Sequence, residues 1–477
     1  MQLFAEELAD GHVLNPMIEA HSNFVRVPLQ WRYLEPVNTA PPYYGWSILD
    51  PIVRRLNEAG QTPIAVIFGK PSWAASNACG PVDLAPLSRY ADFIEVMAER
   101  YDGDGVDDAP GSPLMQHFEI ENEQDFDPDP NNNGGAGDHG SCYGGALASD
   151  YGDQLRVAYL AAHGANPAAK VIFGGLAFER FYNLVDYSPI GPFDYEFTEN
   201  ALGHLHSFHG SEAQWPFFDW MGIHAYNDFR NNWDNGPYKE EFRGKLDHFR
   251  ENKLLVPGVY DLRDMPIAIT ELGLSSAPSD AFTERSEEIQ AYYPAQILAR
   301  AKAEGLVAVL WFVGKDRFTG ACENIYAWQT FGLLRSKKVF DEAALCPENP
   351  IPSYTVSVDN QAKPAHLAYK TAMEQLAGRS LDAELDAAQT GSVEIEAYRF
   401  KDASNAHLIV AFTDSGERLG RITPPLPVTR TMTFDASLLP GWTDRIAIVD
   451  HLGAVSFKDG VTIEVVLEQS PVFVRPD

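Results

Sequence analysis

Short apolar runs alternate with amphipathic stretches through the first three quarters of the chain. Most positions in these runs are apolar or β-branched, which is typical of parallel strands that are buried on both faces. The pattern predicts strands at residues 24–29, 63–68, 116–121, 171–174, 220–224, 266–270 and 306–311. Strands that alternate with helices in this way favour an α/β architecture, in which helices cover a parallel sheet.

The amphipathic stretches predict helices at residues 48–59, 87–101, 147–163, 239–252 and 284–303, with a last helix at 365–377. Gly60 follows the first of these stretches and Gly305 closes the fifth. Glycine is common just after the last helical turn because it adopts left-handed conformations without a steric penalty. Both glycines therefore agree with the predicted helix ends.

Seven predicted strands are one fewer than the eight of a (β/α)8 TIM barrel. Residues 2–4 could form a short first strand, with residues 13–20 as its helix. The alternative is that the first strand belongs to a segment preceding the given chain. We expect the first arrangement, in which the barrel spans residues 1–378.

The periodicity changes near Gly378. Runs that alternate between apolar and polar residues, separated by turn residues, predict strands at residues 393–400, 406–413, 428–434, 445–449, 461–467 and 472–474. Such strands are typical of an antiparallel sandwich with one solvated face. We therefore expect a linker at residues 379–390 and a small β-sandwich domain at residues 391–477.

Length and charge narrow the possible functions. The chain has 477 residues, which suits one barrel and a smaller domain better than a single core. It contains 36 Lys and Arg against 67 Asp and Glu, for a net charge of −31. So acidic a surface repels phosphate backbones, and we expect no nucleic-acid or membrane partner. The longest apolar run, at residues 306–313, also falls short of the ~18 residues of a membrane helix.

Polar and aromatic residues follow the carboxyl ends of the predicted strands, where barrel active sites lie. The set consists of Arg26, Trp31, Trp73, Asn122, Glu123, His224, Tyr226, Glu271 and Trp311. Two carboxyl groups can share the acid–base and nucleophilic work of glycoside cleavage, and aromatic rings can pack against sugar faces. This combination indicates a sugar-cleaving site.

Several motifs carry a family resemblance. They are Val25-Arg26-Val27, Leu34-Glu35-Pro36, Pro71-Ser72-Trp73-Ala74, Glu119-Ile120-Glu121-Asn122-Glu123, Gly222-Ile223-His224-Ala225-Tyr226 and Ile269-Thr270-Glu271-Leu272-Gly273. In this order the sequence resembles the retaining glycoside hydrolases of the clan A (β/α)8 superfamily, in particular its β-xylosidase-like and cellulase-like branches. The most specific signal is Asn122-Glu123 at one strand end with Glu271 at a later one.

The resemblance implies a role for each carboxylate. Glu123 matches the acid/base and should keep its proton, whereas Glu271 matches the nucleophile and should be ionised by Arg26. Asn122 would hold the 2-hydroxyl group of the sugar. Many members have proline after Asn-Glu, but Gln124-Asp125 follows here, so the shape of the next loop is open.

Other residues take positioning or binding roles by the same resemblance. His224 and Tyr226 would position the nucleophile, and Trp311 would form part of a sugar platform. Trp31 and Trp73 are either sugar-facing walls or packing residues. Glu121 lies two residues before Glu123 and belongs to a polar layer of the barrel or pairs with Arg26.

The resemblance implies no cofactor and no catalytic metal. The acidic run at residues 101–108 could bind calcium, but its spacing differs from that of an EF-hand and a solvated turn is expected. Asp125, Asp127 and Asp129 could likewise bind calcium or line the rim of the cleft. We expect them to form a flexible acidic loop.

The four cysteines, Cys79, Cys142, Cys322 and Cys346, lack the Cys-x-x-Cys spacing of a zinc site. Cys79 and Cys142 follow adjacent strands and could pair, as could Cys322 and Cys346. Disulfides would favour an extracellular or periplasmic location, although residues 1–11 show no export signal. Four free thiols in a cytosolic protein are the alternative.

The function expected from the sequence is that of a retaining glycoside hydrolase. It would cleave the β-glycosidic bonds of a neutral β-glycan or oligosaccharide by double displacement, as in polysaccharide degradation. One alternative is a non-catalytic carbohydrate-binding protein on a barrel scaffold. Another is a transglycosylase that uses the same residues.

Overall fold

A computed structural model describes residues 1–4, 7–8, 11–77, 80–125, 148–177, 194, 196–226, 242–276, 286–317, 327–336, 360–413 and 428–477 of the chain. The strands of the first part are β1 Phe24–Gln30, β2 Thr62–Phe68, β3 His117–Asn122, β4 Lys170–Leu176, β5 Trp220–His224, β6 Leu255–Val256, β7 Tyr260–Asp261, β8 Ile267–Leu272 and β9 Ala308–Trp311. The helices are α1 Gly11–Glu19, α2 Trp31–Leu34, α3 Leu49–Glu58, α4 Leu87–Arg100, α5 Ala148–Ala165, α6 Phe197–His209, α7 Phe242–Asn252, α8 Glu287–Ala303 and α9 Pro364–Leu376.

The seven strands predicted from the apolar runs all join one parallel sheet, in the order β1-β2-β3-β4-β5-β8-β9. The short strands β6 and β7 form a separate two-stranded hairpin between α7 and β8. Each predicted run coincides with a strand to within a few residues, and helices lie between the strands. The predicted (β/α)8 architecture is therefore confirmed.

The N-terminal segment closes the ring between β1 and β9. Gln2 forms a parallel bridge with Arg26, and its backbone N–H donates to the carbonyl of Trp311 at 2.9 Å. The N–H of Leu3 donates to the carbonyl of Arg26 at 3.1 Å. The expected first strand therefore exists as a single bridge at Gln2, and α1 is its helix.

Side chains from five different strands meet in the lumen of the barrel. Ile64, Ile172 and Leu310 are buried together there, and Phe24 and Trp220 pack against them. Residues on strands that are not neighbours can touch in this way only inside the ring. The larger apolar cluster, by contrast, joins the outer faces of the strands to the helices.

The C-terminal strands are β10 Ser380–Glu384, β11 Ile395–Lys401, β12 His407–Thr413, β13 Arg430–Asp435, β14 Arg445–Asp450, β15 Val455–Asp459, β16 Thr462–Leu467 and β17 Val472–Pro476, with a short helix, α10 Ala387–Thr390, after β10. Six strands form an antiparallel sheet in the order β10-β11-β12-β17-β14-β15, and β13 pairs with β16. Buried residues of both sheets face one another, as in the predicted sandwich.

Two of these strands were not predicted. β10 lies inside the segment expected to be a linker and pairs with β11, so the linker prediction is wrong for that stretch. β15 lies at the edge of the sheet and is exposed at all five positions, and the prediction missed the short alternation of apolar and polar residues in its sequence. The sandwich sheet therefore begins at Ser380.

The helix α8 connects the barrel to the sandwich. Its residues Ala295 and Ala299 pack with Phe400 and Phe412 of β11 and β12. Arg300, also on α8, is 1% exposed and forms a two-pronged ion pair with Glu396 at 2.7–2.8 Å. No helix among the described residues is both long enough and apolar enough to cross a bilayer.

All four cysteines lie outside the described residues, as do Asp127 and Asp129. Both disulfide pairings therefore stay predictions.

Candidate active site

Arg26, in the middle of β1, organises the carboxyl end of the barrel. Its Nε and Nη2 donate to the two oxygens of Glu119 at 2.7 and 2.9 Å, and Nη2 also donates to Oδ1 of Asn122 at 2.6 Å. Nη1 donates to Oε1 of Glu271 and to the side chain of Gln2. Burial disfavours the charge, but the Glu119 and Glu271 carboxylates outweigh it and raise the pKa of Arg26 above its ordinary value.

Glu271, near the end of β8, has a donor on each carboxyl oxygen. Arg26 donates to Oε1, and the hydroxyl of Tyr226 donates to Oε2 at 2.8 Å. Burial, followed by the charge of Glu271, raises the pKa of Tyr226 well above its ordinary value, so the phenol keeps its proton and acts as a donor. Both oxygens of the Glu271 carboxylate therefore have a hydrogen-bond donor.

Glu123 lies at the opposite side of the same opening and is more exposed. Its side chain is 30% exposed, against 8% for Glu271, and its Oε1 is 2.9 Å from Nδ1 of His224. Carboxylate oxygens of Glu123 and Glu271 lie within 4.8 Å of each other. The two groups that the sequence predicts as a catalytic pair therefore do converge.

The backbone before Glu123 departs from a regular strand. Glu121 and Glu123 both have positive φ angles, of 72° and 52°. Glutamate rarely adopts this left-handed region, and such strain is common at functional sites. The N–H of Glu123 donates to the carbonyl of Gly175 at 2.8 Å, which helps to hold the distorted strand end.

His224 lies close to both carboxylates. Its ring is buried, and Nδ1 is 2.9 Å from Glu123 and 3.7 Å from Oε2 of Glu271. Burial lowers the pKa of His224 to about 4 despite the Glu271 charge, so the imidazole is neutral near pH 7. The prediction placed His224 beside the nucleophile, whereas its shorter contact is with Glu123.

Among the described residues, two groups of side chains have the spacing of a metal site. In the first, donor atoms of Glu123, His224 and Glu271 lie within 4.8 Å of one another. The guanidinium of Arg26 already neutralises Glu271 and repels a second cation, so we assign no metal there.

The second group consists of Glu99, Asp102 and Asp104, just before and within the acidic run at 101–108. Oδ1 of Asp102 accepts the N–H of Asp104 at 3.0 Å, and Oδ1 of Asp104 accepts that of Val106 at 2.7 Å. Such bonds between an Asp side chain and the backbone two residues on are common in turns, and the solvated turn stays a prediction.

No protein-family model and no curated protein matches the sequence. Solved structures do match. A family 39 glycoside hydrolase from Bacteroides cellulosilyticus has a TM-score of 0.63 at 16% identity, over 100% of this chain and 80% of its own. A GH39 β-xylosidase from Caulobacter crescentus has a TM-score of 0.55 at 14% identity, over 100% of this chain and 95% of its own. A bacterial orthologue of human α-L-iduronidase has a TM-score of 0.55 at 16% identity, over 100% of this chain and 81% of its own.

The chain shares the fold of these glycoside hydrolases. Each similarity covers the whole chain, so it includes the C-terminal sandwich as well as the barrel. At identities this low the likeness establishes the fold and not the reaction. Functional conclusions therefore depend on the site residues themselves.

Trp311 does not face the site. Leu310 points into the lumen, and neighbouring strand residues point to opposite faces, so Trp311 lies on the helix side of β9. It is 1% exposed, its ring is 6.0 Å from that of Tyr293 on α8, and its Nε1 donates to the carbonyl of Phe331 at 2.8 Å. The expectation of a sugar platform at Trp311 is wrong.

Trp31 is also a packing residue. It is 1% exposed, stacks on Phe93 with ring centroids 5.4 Å apart and contacts Tyr90 at 5.2 Å. Trp73 meets its edge at 5.1 Å and is partly exposed, with Nε1 bonded to the carbonyl of Glu35 at 3.2 Å. Of the two predicted walls, only Trp73 keeps exposed surface for a sugar.

Two phenylalanines near Tyr226 escaped the sequence prediction. Phe331 lies 5.5 Å and Phe312 lies 6.5 Å from the Tyr226 ring, and both are partly exposed. Phe312 follows Trp311 directly. Because side chains along a strand alternate between its two faces, this position should face the inside of the barrel, as Leu310 does. Phe331 lies 20 residues after the end of β9 in the sequence, and no pattern in the sequence predicts a place at the site for it.

Glu121 has a structural role in a polar layer, one of the two predicted alternatives. It pairs with Nζ of Lys70 at 2.8 Å and accepts from Nε2 of Gln154 at 2.8 Å. The other alternative, a pair with Arg26, is wrong because Glu119 takes that position. The left-handed conformation of Glu121 breaks the strand alternation that would have put it beside Arg26.

Gln124 and Asp125, which replace the usual proline, fasten the end of β3 to β4. Nε2 of Gln124 donates to the carbonyl of Gly174 at 2.8 Å, and Oδ1 of Asp125 accepts the N–H of Ala177 at 2.8 Å. Asp125 is 2% exposed. For Asp125, the prediction of a flexible acidic loop is therefore wrong.

Proposed function

We propose that the protein is a retaining glycoside hydrolase that cleaves β-glycosidic bonds, with Glu271 as nucleophile and Glu123 as acid/base. The observation that carries this proposal is the approach of the two carboxylates to within 4.8 Å. Retaining enzymes have carboxyl groups about 5–5.5 Å apart, whereas inverting enzymes need about 6.5–9.5 Å to admit a water. The shared fold with glycoside hydrolases also supports the proposal.

The environments of the two carboxylates suit different roles. Glu271 is buried and accepts from Arg26 and Tyr226, so it is a charged nucleophile. It attacks the anomeric carbon while Glu123 gives its proton to the departing oxygen. Glu123 then takes a proton from water, and the resulting hydroxide equivalent displaces Glu271 from the sugar.

The surroundings favour a neutral sugar over a uronic acid. The buried cations described around the site are already engaged: Arg26 and Lys70 pair with glutamates, and Lys245 donates to the carbonyl of His224. The carboxylate of a uronic acid would therefore find no free cation among these groups, and the net charge of −31 on the chain would repel it. This favours a neutral β-glycoside, such as a xyloside, and makes the iduronidase-like activity the second candidate.

The test is turnover of 4-nitrophenyl β-D-xyloside, β-D-glucoside and β-D-mannoside, with 4-methylumbelliferyl α-L-iduronide as the acidic comparison. We expect a neutral β-glycoside to be hydrolysed with the β-anomer released first, as followed by NMR. Release of the α-anomer would contradict retention. A protein that binds glycans without turning over any of them would be the non-catalytic alternative. Longer oligosaccharide products on addition of acceptor sugars would indicate transglycosylation.

The first prediction concerns the nucleophile. Glu271→Ala should abolish turnover, and added azide should restore it as an α-glycosyl azide because azide enters from the vacated face. Glu123→Ala should retain the first step for 4-nitrophenyl leaving groups and give a β-glycosyl azide. Turnover by Glu271→Ala without azide would contradict the assignment of Glu271 as the nucleophile.

A further inference from the structure

Two buried polar atoms behind the catalytic carboxylates have no hydrogen-bond partner among the described residues. They are Nε2 of His224 and Oγ1 of Thr270, and both residues are 0% exposed. Buried polar atoms are almost always paired, so each such atom calls for a reason. Here both belong to residues next to the chemistry.

Gly175 on β4 brings these two atoms to one place. A Cβ added at Gly175 would lie 2.3 Å from Nε2 of His224 and 2.5 Å from Oγ1 of Thr270. Both distances are far inside van der Waals contact, so glycine at this position leaves the space that the two polar atoms face. The hydroxyl of Thr270 and Nε2 of His224 therefore lie beside each other, next to Gly175.

The other ring nitrogen of His224 decides what this contact means. Nδ1 is 2.9 Å from Oε1 of Glu123, and the neutral imidazole carries one hydrogen, on either Nδ1 or Nε2. With the hydrogen on Nδ1, the ring donates to Glu123 and favours its carboxylate form. With the hydrogen on Nε2, Nδ1 accepts the acid proton of Glu123 and favours the protonated form.

We propose that the Thr270 hydroxyl accepts the Nε2–H of His224 through one bridging water, and thereby favours the tautomer in which Nδ1 accepts the proton of Glu123. Thr270 is then a positioning residue that keeps the general acid loaded. The catalytic consequence rests on the proposed function, whereas the tautomer itself does not.

The same tautomer serves the second half of the reaction. Once Glu123 has given its proton to the leaving group, its carboxylate faces the lone pair of Nδ1 instead of a donor. That arrangement favours recovery of a proton from the attacking water. No further co-reactant is needed, because the proton lost in the first step is regained in the second.

The charged groups around His224 are otherwise engaged. Arg26 binds Glu119 and Glu271, and Nζ of Lys245 donates to the backbone carbonyl of His224. Glu123 is the carboxylate at Nδ1, and Glu271 lies farther away, at 3.7 Å. Thr270 is therefore the neutral side chain beside Nε2 whose hydroxyl can accept the Nε2–H.

NMR of the full-length protein labelled with ¹⁵N-histidine tests the tautomer directly, with His224→Gln used only to assign the signal. We expect Nε2–H in the wild type, a shift of population towards Nδ1–H in Thr270→Val, and the wild-type pattern in Thr270→Ser. An Nδ1–H wild type, or a Thr270→Val spectrum with an unchanged tautomer, would overturn the proposal. The wild-type spectrum decides even if Thr270→Val does not fold.

Kinetics test the consequence on whichever glycoside the wild type hydrolyses. Thr270→Val should lower kcat/KM for the phenyl glycoside, which needs acid help, by about five- to tenfold more than for the 4-nitrophenyl glycoside. The alkaline limb of its pH profile should move to lower pH, and Thr270→Ser should restore both. Equal losses on the two substrates with an unmoved limb would indicate a packing role and overturn the proposal. If no glycoside were hydrolysed, the proposed function would fail while the NMR result still judged the tautomer.

Discussion

At the scale of single residues, the site depends on one guanidinium that serves several acceptors. Arg26 has five N–H donors in a planar fork, and in this structure they bind Glu119, Asn122, Glu271 and Gln2. Lysine offers a single ammonium and cannot reach these acceptors together. The positions of the Glu271 carboxylate, the Asn122 amide and the closing N-terminal segment therefore all depend on this residue.

We expect Arg26→Lys to lower kcat/KM by at least about 100-fold. The buried carboxylate of Glu119 then loses its two-pronged partner, and Glu271 loses its donor on Oε1. Arg300→Lys is a matched control, since Arg300 is equally buried and makes the same kind of pair with Glu396 away from the site. The control should lose stability in urea but keep kcat. Equal loss of kcat in the two variants would contradict a specific role for Arg26.

A second residue-scale prediction concerns the hydroxyl on Oε2 of Glu271. Tyr226→Phe removes a hydrogen bond to a charged group, which contributes about 1.5–3 kcal/mol, so kcat/KM should fall by about 10–100-fold. Tyr398→Phe is the matched control, because Tyr398 donates to Glu396 in the sandwich. We would discard this role for Tyr226 if its variant and the control showed the same steady-state kinetics.

At the scale of elements, the sequence predicted every strand of the barrel but not the shape of the strand ends. Long apolar runs identify these strands because both faces of the parallel sheet are buried. The side chains at the mouth are aimed by irregularities instead: positive φ at Glu121 and Glu123, and register shifts where β8 meets β5 and β9. Motif resemblance identified Glu123 and Glu271, whereas Glu119 and Phe331 depended on contacts between distant segments.

A buried ion pair supports the segment that carries Phe331. Nζ of Lys363 donates to Oδ1 of Asp316 at 2.7 Å, and the same oxygen accepts the N–H of Gly332 at 2.9 Å. Asp316 is 2% and Lys363 is 1% exposed. Because Gly332 adjoins Phe331, this pair fixes the position of the ring beside Tyr226.

Lys363→Met should leave the carboxylate of Asp316 buried and unpaired and reduce the free energy of unfolding by about 3–5 kcal/mol. It should also raise KM more than it lowers kcat, because the Phe331 wall moves while the carboxylates stay. Adding Asp316→Leu should recover part of the stability but not the KM. Urea unfolding and steady-state kinetics measure the two effects, and an unchanged KM in both variants would contradict the link to Phe331.

At the scale of the whole molecule, the barrel and the sandwich share a buried boundary on α8. The helix stands between β8, which carries Glu271, and β9, and its outer face is covered by β11 and β12. The sandwich supplies no residue to the described site. We therefore expect its contribution to activity to be indirect, through the stability of the helix between β8, which carries Glu271, and β9.

The last prediction separates that indirect contribution from a direct one. Phe400 is 0% exposed and packs in the cluster that contains Ala299 and Leu376 of the barrel helices. Phe400→Ala should lower the free energy of unfolding by about 3–5 kcal/mol, because it removes a large buried ring at this boundary. At a temperature where the variant remains folded, kcat and KM should stay within about twofold of the wild type. A folded Phe400→Ala protein with a large loss of kcat would mean that packing at the boundary reaches Glu271 through α8, and the sandwich would then belong to the catalytic apparatus.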